Sequence, residues 1–144
     1  MEGTKAPLDI VAAPKARAWR VGTDLCSVEA VAESVDRFGQ RYLRRVYTED
    51  ELQYCLDAPG RTAERLAARF AAKEATIKVL RPRDNWPDWR MIEIRKDPGG
   101  WCQVVLTGTA AQMAADAGIV VVDVSMSHDG AMASAVVLAH AASD

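Results

Sequence analysis

The stretch from Thr62 to Leu80 constrains this chain more than any other. It contains no glycine or proline and is rich in Ala, Leu, Arg, Glu and Lys. Those residues give up little side-chain freedom in a helix, so this is the strongest helix of the sequence, and Pro82 stops it. Leu66, Phe70, Ile77 and Leu80 can share one broad buried face. Ala71, Ala72 and Ala75 make its middle small-sided, which lets another element pack close. A helix with so wide an apolar face needs a layer to cover it.

The flanking segments read mostly as that layer. Trp19 to Leu25 is a short strand in which Gly22 permits close backbone approach. Val28, Val31, Val35 and Phe38 recur at three- and four-residue steps and mark a helix that Gly39 ends or bends. Thr48 and Glu51 form a capping box opening a short helix to Leu56, and Asp57 to Gly60 is a turn. Arg83 to Trp89 is a loop. Met91 to Arg95 and Trp101 to Thr107 are strands joined by a turn at Asp97 to Gly100. Thr109 to Ala117 is a small helix closed by Gly118. Ile119 to Ser127 and Met132 to Ala139 are strands joined around His128-Asp129-Gly130. This order predicts an α+β domain with a mainly antiparallel sheet packed against a long central helix.

Composition narrows the class. With 144 residues, 49% hydrophobic and 26% charged, the chain makes one compact domain rather than a disordered, collagenous or disulfide-stapled one. That domain is expected over residues 20–144. Residues 1–19, with Gly3, Pro7 and Pro14 and no sustained period, are expected to be a flexible extension. Lys5, Asp9, Lys15 and Arg17 interrupt any signal-peptide core, and no apolar run is long enough to span a bilayer. A net charge of −2 leaves no basic footprint for nucleic acid. Cys26, Cys55 and Cys102 form no Cys-x-x-Cys pair, which disfavours structural zinc and fits reduced thiols in a cytoplasm.

Four groups of residues could carry chemistry. Asp24 ends the first strand, where a carboxylate can hold a hard cation or simply cap the next helix. Lys73, Glu74 and Lys78 lie within the long helix. Glu74 and Lys78 share a face, as a solvated ion pair or as the wall of a cleft. Two carboxylates from different elements with a lysine suit Mg²⁺ and a diphosphate. Ser125 and Ser127 share one strand face ahead of His128, which reads either as a phosphate contact or as a polar hairpin tip. Arg37, Arg41, Arg44 and Arg45 place four positive charges in nine residues without an acid. They make a solvated basic face or a dock for an acidic partner. There is no Gly-x-Ser-x-Gly elbow, so covalent hydrolase chemistry has little support.

Three segments together resemble the stand-alone holo-acyl-carrier-protein synthases, a branch of the 4′-phosphopantetheinyl transferase superfamily. Val21-Gly-Thr-Asp24-Leu25 is similar to the family's Gly-x-Asp motif. Arg69-Phe-Ala-Ala-Lys73-Glu74-Ala75-Thr-Ile-Lys78 is similar to its Phe-Ala-Ala-Lys-Glu-Ala-x-x-Lys signature. Val124-Ser-Met-Ser-His128-Asp129-Gly130 is similar to its Ser-x-Ser-His segment. Tyr47 to Glu51 also fits the family's Phe-Thr-x-x-Glu, and the resemblance runs in order from about Arg20 to Ala141.

The resemblance implies transfer of phosphopantetheine from coenzyme A to a serine of an apo acyl carrier protein, releasing adenosine 3′,5′-bisphosphate. It implies that Asp24 and Glu74 bind Mg²⁺ and that Lys78 neutralises the diphosphate. Lys73 would contribute to nucleotide-phosphate binding, and His128 would lie beside coenzyme A. Arg37 to Arg45 would receive the carrier, and the assembly would be a homotrimer. The acceptor would belong to fatty-acid or polyketide biosynthesis. Departures are Ser27 where many relatives have glutamate, Ala30 where many have arginine, and Cys102 in place of a frequent proline. They keep open a non-catalytic binding module for coenzyme A or carrier protein. An unrelated Mg²⁺-dependent phosphoesterase is a third reading.

Overall fold

The computed structural model describes residues 19–142. Apart from Trp19, the expected extension over residues 1–19 lies outside the described residues. Five strands form one antiparallel sheet in the order β1-β5-β4-β3-β2. They are β1 (Trp19–Ser27), β2 (Ile92–Lys96), β3 (Cys102–Leu106), β4 (Ile119–His128) and β5 (Met132–Ala141). Strands β2 to β5 follow one another as a meander. The first strand then pairs with the last, in register from Trp19 opposite His140 to Ser27 opposite Met132. The helices are α1 (Val28–Phe38), α2 (Gln40–Val46), α3 (Glu49–Leu56), α4 (Thr62–Leu80) and α5 (Gly108–Asp116).

The long helix α4 has the predicted bounds and packs across β1 and β5. Small residues on both sides allow the close fit. Ala71, Ala72 and Ala75 of α4 and Ala133, Ala135 and Ala139 of β5 are all fully buried. Gly22 of β1 is where the approach is tightest. A Cβ there would lie 2.1 Å from the Ala75 carbonyl oxygen and 3.2 Å from Val79 Cγ2. Between Leu66 and Leu80, every residue of α4 is buried except Phe70, Glu74 and Lys78. These stand four residues apart and form one accessible stripe. Phe70 therefore departs from the expected core face. It is half-buried, with its ring 5.2 Å from that of Trp89.

The local signals mostly act as read. Thr48 Oγ1 accepts from Glu51 N and Glu51 Oε1 accepts from Thr48 N, completing the capping box. Ser27 Oγ accepts from Ala30 N and caps α1. Gly39, at φ 54°, ends α1 for a single residue, after which α2 starts again. That restart goes beyond the sequence reading, as does the 3₁₀ turn at Trp89–Met91. The three cysteines are free thiols.

Candidate functional site

The stripe on α4 meets β1 at Asp24. Strand alternation puts Asp24 on the same face as Gly22, and Gly22 lets that face rest on the α4 backbone. Lys78 Nζ donates to Asp24 Oδ1 at 3.2 Å and to the Thr23 carbonyl at 2.7 Å. The other oxygen, Asp24 Oδ2, is buried without a hydrogen-bond partner among the described residues. The group beside Asp24 is a second acid. The Glu74 carboxyl is pushed up to about 7, first by burial and then by the neighbouring Asp24 carboxylate, with Lys78 opposing. Burial, then the same two acids, also raises the Cys26 thiol to about 11, so it stays protonated and unreactive. Asp24, Glu74 and Lys78 are therefore brought together as expected.

Lys73 is not part of this group, which corrects the expectation that it contributes to nucleotide-phosphate binding. The residue is fully buried and points to the other side of α4. Its ammonium sits 2.7 Å from Glu51 Oε1 and donates to the carbonyls of Trp89 and Ile92. Glu51 Oε2 accepts from Ile94 N at 3.1 Å. Burial lowers the Lys73 pKa, and Glu51 opposes that shift. All three ammonium protons are used, leaving none for a phosphate. This pair ties α3, α4 and β2 together.

A basic cleft of about 290 Å³ lies further toward the N-terminus of α4. Arg61, Arg65, Arg69, Lys96 and His128 line it. Arg69 is 3% exposed, and its Nε is buried without a partner among the described residues. His128 also lines it, its Nδ1 3.6 Å from Glu64 Oε2. The arginines and Lys96 were missed from sequence, although the spacing of Arg61, Arg65 and Arg69 by four residues was a usable signal. Ser125 and Ser127 do share one strand face. It is the exposed face of the sheet, opposite to the one carrying His128.

The basic stretch divides into two surfaces. Arg41 and Arg45 border a cavity of about 550 Å³ with Phe38 and Tyr42. Arg44 lies on another cavity with Gln40, to which its Nε donates at 3.4 Å. Arg37 lies 5.2 Å from the centre of the half-exposed Phe38 ring.

Comparisons with known proteins agree with this geometry. Residues 20–132 match the family described as the 4′-phosphopantetheinyl transferase superfamily. The chain is 42% identical over 119 residues to a holo-[acyl-carrier-protein] synthase of Desulforudis audaxviator, covering 83% of this chain and 90% of the relative. It is 40% identical over 108 residues to one of Koribacter versatilis, covering 74% and 86%. Its fold is similar to that of an ACPS–CoA complex of Chronobacterium ammoniagenes, with TM-score 0.77 and 31% identity over 88% of this chain and 99% of the other. The Helicobacter pylori holo-[acyl-carrier-protein] synthase in complex with coenzyme A gives TM-score 0.71 and 27% identity, covering 83% and 99%. With its Gly-x-Asp strand and Lys-Glu helix meeting in one site, the chain belongs to the 4′-phosphopantetheinyl transferase superfamily, among the holo-[acyl-carrier-protein] synthases.

Proposed function

We propose that this chain moves the 4′-phosphopantetheine arm of coenzyme A onto a serine of an apo acyl carrier protein and releases adenosine 3′,5′-bisphosphate. The observation that carries this reading is the pairing of Asp24 with Glu74 beside Lys78. Two adjacent acids repel unless a proton or a cation lies between them, and one oxygen here lacks any donor. No third His, Cys, Asp or Glu joins them among the described residues. That donor set suits Mg²⁺, which takes one or two protein carboxylates and completes its shell with phosphate oxygens and water. Asp24 and Glu74 would hold such an ion, which when bound would supply polarisation of a diphosphate and charge stabilisation for the leaving group.

The protein's own groups do the remaining work. Lys78, with its side chain 55% exposed, offers a charge to the diphosphate. The Arg61–Arg65–Arg69 stripe with Lys96 and His128 holds the nucleotide's other phosphate. Arg69 lies about 7.5 Å from Glu74 along the helix axis, five residues at 1.5 Å each. In the transfer the serine oxygen bonds to the pantetheine phosphorus and the bridging P–O bond breaks. The bisphosphate departs with the electron pair, and the serine proton passes to a base. Such chemistry asks for positioning and charge stabilisation, not a covalent enzyme intermediate. The coenzyme A complexes of two similar structures support the donor.

Arg37, Arg41 and Arg45 around the apolar Phe38, together with Arg44 on the second surface, are the docking charges for the acidic carrier. Chains assemble as a homotrimer through the exposed apolar face of the sheet. Intact mass of an apo acyl carrier protein, mixed with this protein, coenzyme A and Mg²⁺, tests the reading. A gain of one phosphopantetheine that EDTA abolishes is expected. Coenzyme A binding with no mass gain on several apo carriers would overturn it.

A further inference from the structure

Tyr54 of α3 stands at the centre of a cation cluster. The guanidinium carbons of Arg65 and Arg69 each lie 4.2 Å from its ring centroid, and Lys96 Nζ lies 5.4 Å away. Arg65 also donates to the Tyr54 carbonyl at 2.8 Å, and Lys96 Nζ donates to the Tyr54 hydroxyl at 3.3 Å. None of the three cations pairs with a carboxylate within 4.0 Å among the described residues.

Three like charges so close repel one another. An acid among them would hold them in place but would consume their donors and cancel their charge. An aromatic ring attracts cations through its quadrupole and leaves the charge unspent. The unpartnered, buried Nε of Arg69 is the visible result. The geometry is that of a prearranged receptor for a compact dianion rather than of a stability network.

We infer that Tyr54 is a positioning residue, whose ring holds Arg65, Arg69 and Lys96 in place for a phosphate monoester and thereby makes the protein distinguish coenzyme A from 3′-dephospho-coenzyme A. The inference rests on the proposed function in placing the diphosphate at Asp24 and Glu74, so that the monoester is the phosphate left for the basic cleft. Tyr54 acts through the cations and makes no claim on the reacting atoms.

The test compares the full chain with Tyr54→Leu, Tyr54→Gln and Tyr54→Phe. Calorimetry measures binding of adenosine 3′,5′-bisphosphate and adenosine 5′-monophosphate, and a transfer assay measures KM and kcat for coenzyme A and its 3′-dephospho form. Either ringless variant should weaken bisphosphate binding about ten-fold, the size of one or two cation–π contacts, and leave the monophosphate within about two-fold. The KM for coenzyme A should rise with kcat kept, the KM for the dephospho form should hold, and Tyr54→Phe should stay near wild type. Equal weakening of both nucleotides, no weakening of the bisphosphate, or a Phe variant as impaired as the ringless ones would overturn the inference. A wild type with no preference between the two nucleotides would also overturn it. A wild type that discriminates between them but transfers nothing to a carrier overturns the proposed function instead, and the binding arm then decides on Tyr54. Two ringless side chains of different polarity guard against one that does not fold.

Discussion

Asp24 and Glu74 form the most consequential pair in the molecule because burial and the Asp24 carboxylate hold the Glu74 carboxyl well above its ordinary range. Glu74→Gln keeps the shape and removes one of the two charges. Transfer should fall on the order of 100-fold or more, the scale for losing a preorganised charge-stabilising group, while the melting temperature in EDTA falls no lower than that of the wild type. A variant with near-wild-type turnover at limiting Mg²⁺ would refute the role of Glu74. The same pair sets a pH dependence. The Glu74 pKa in the folded chain is about 7 against an ordinary 4.5, so without a cation the folded state holds this proton more tightly than the unfolded state does. Its contribution to stability is complete below the unfolded value and is lost as pH rises from 4.5 to about 7. Thermal unfolding in EDTA should therefore shift down across that window, and Mg²⁺ should raise the melting temperature more at alkaline than at acid pH. A Mg²⁺ effect independent of pH would count against shared cation binding by the two acids.

At the scale of elements, the contact between β1 and α4 decides whether those acids meet. Gly22 and Asp24 point the same way from β1, and the missing side chain at Gly22 is what allows Asp24 to reach the stripe on α4. Gly22→Ala drives a methyl group into the Ala75 carbonyl, which is backbone and cannot rotate away. The expected cost is about 2 kcal/mol or more, with loss of transfer because Asp24 moves with its strand. Urea unfolding and the mass assay check both, and an alanine variant as stable and active as wild type would contradict the account. The opposite side of α4 is fixed by the Lys73–Glu51 pair. Lys73→Met leaves a buried carboxylate without its cation and should cost about 3–5 kcal/mol in the same unfolding measurement. Effects confined to coenzyme A KM at unchanged stability would instead return Lys73 to the nucleotide.

At the scale of the whole molecule, the described residues cover the sheet on one face only. Val21 of β1 and Leu138 of β5 are directly opposite in register, and both are exposed, as are Leu25 and Val136. Burying such side chains is worth about 1.5–3 kcal/mol each, so an uncovered face of this kind favours a second surface. If the proposed homotrimer forms through this face, Val136→Glu should convert it from three chains to one by light scattering and reduce transfer with it. A wild type that scatters as a single chain would remove the trimer.

Much of this was legible from sequence for a physical reason: helix propensity, capping and strand alternation are local. The bounds of α4, the Thr48 capping box and the final two strands all follow from neighbours within a few positions, while Asp24, Glu74 and Lys78 stood out by their resemblance to a family's motifs. What no local rule contains is the direction in which a helical side chain meets the rest of the fold. Lys73 and Glu74 are adjacent in sequence, yet about 100° of helical rotation separates them. One lies in a saturated ion pair under α3 and the other in the cleft against β1. Likewise Tyr54, unremarkable in sequence, gathers Arg65, Arg69 and Lys96 because α3, α4 and the end of β2 converge on it. The chain's own pattern determined its elements and the residues able to do chemistry; tertiary packing alone decided which of them face the same space.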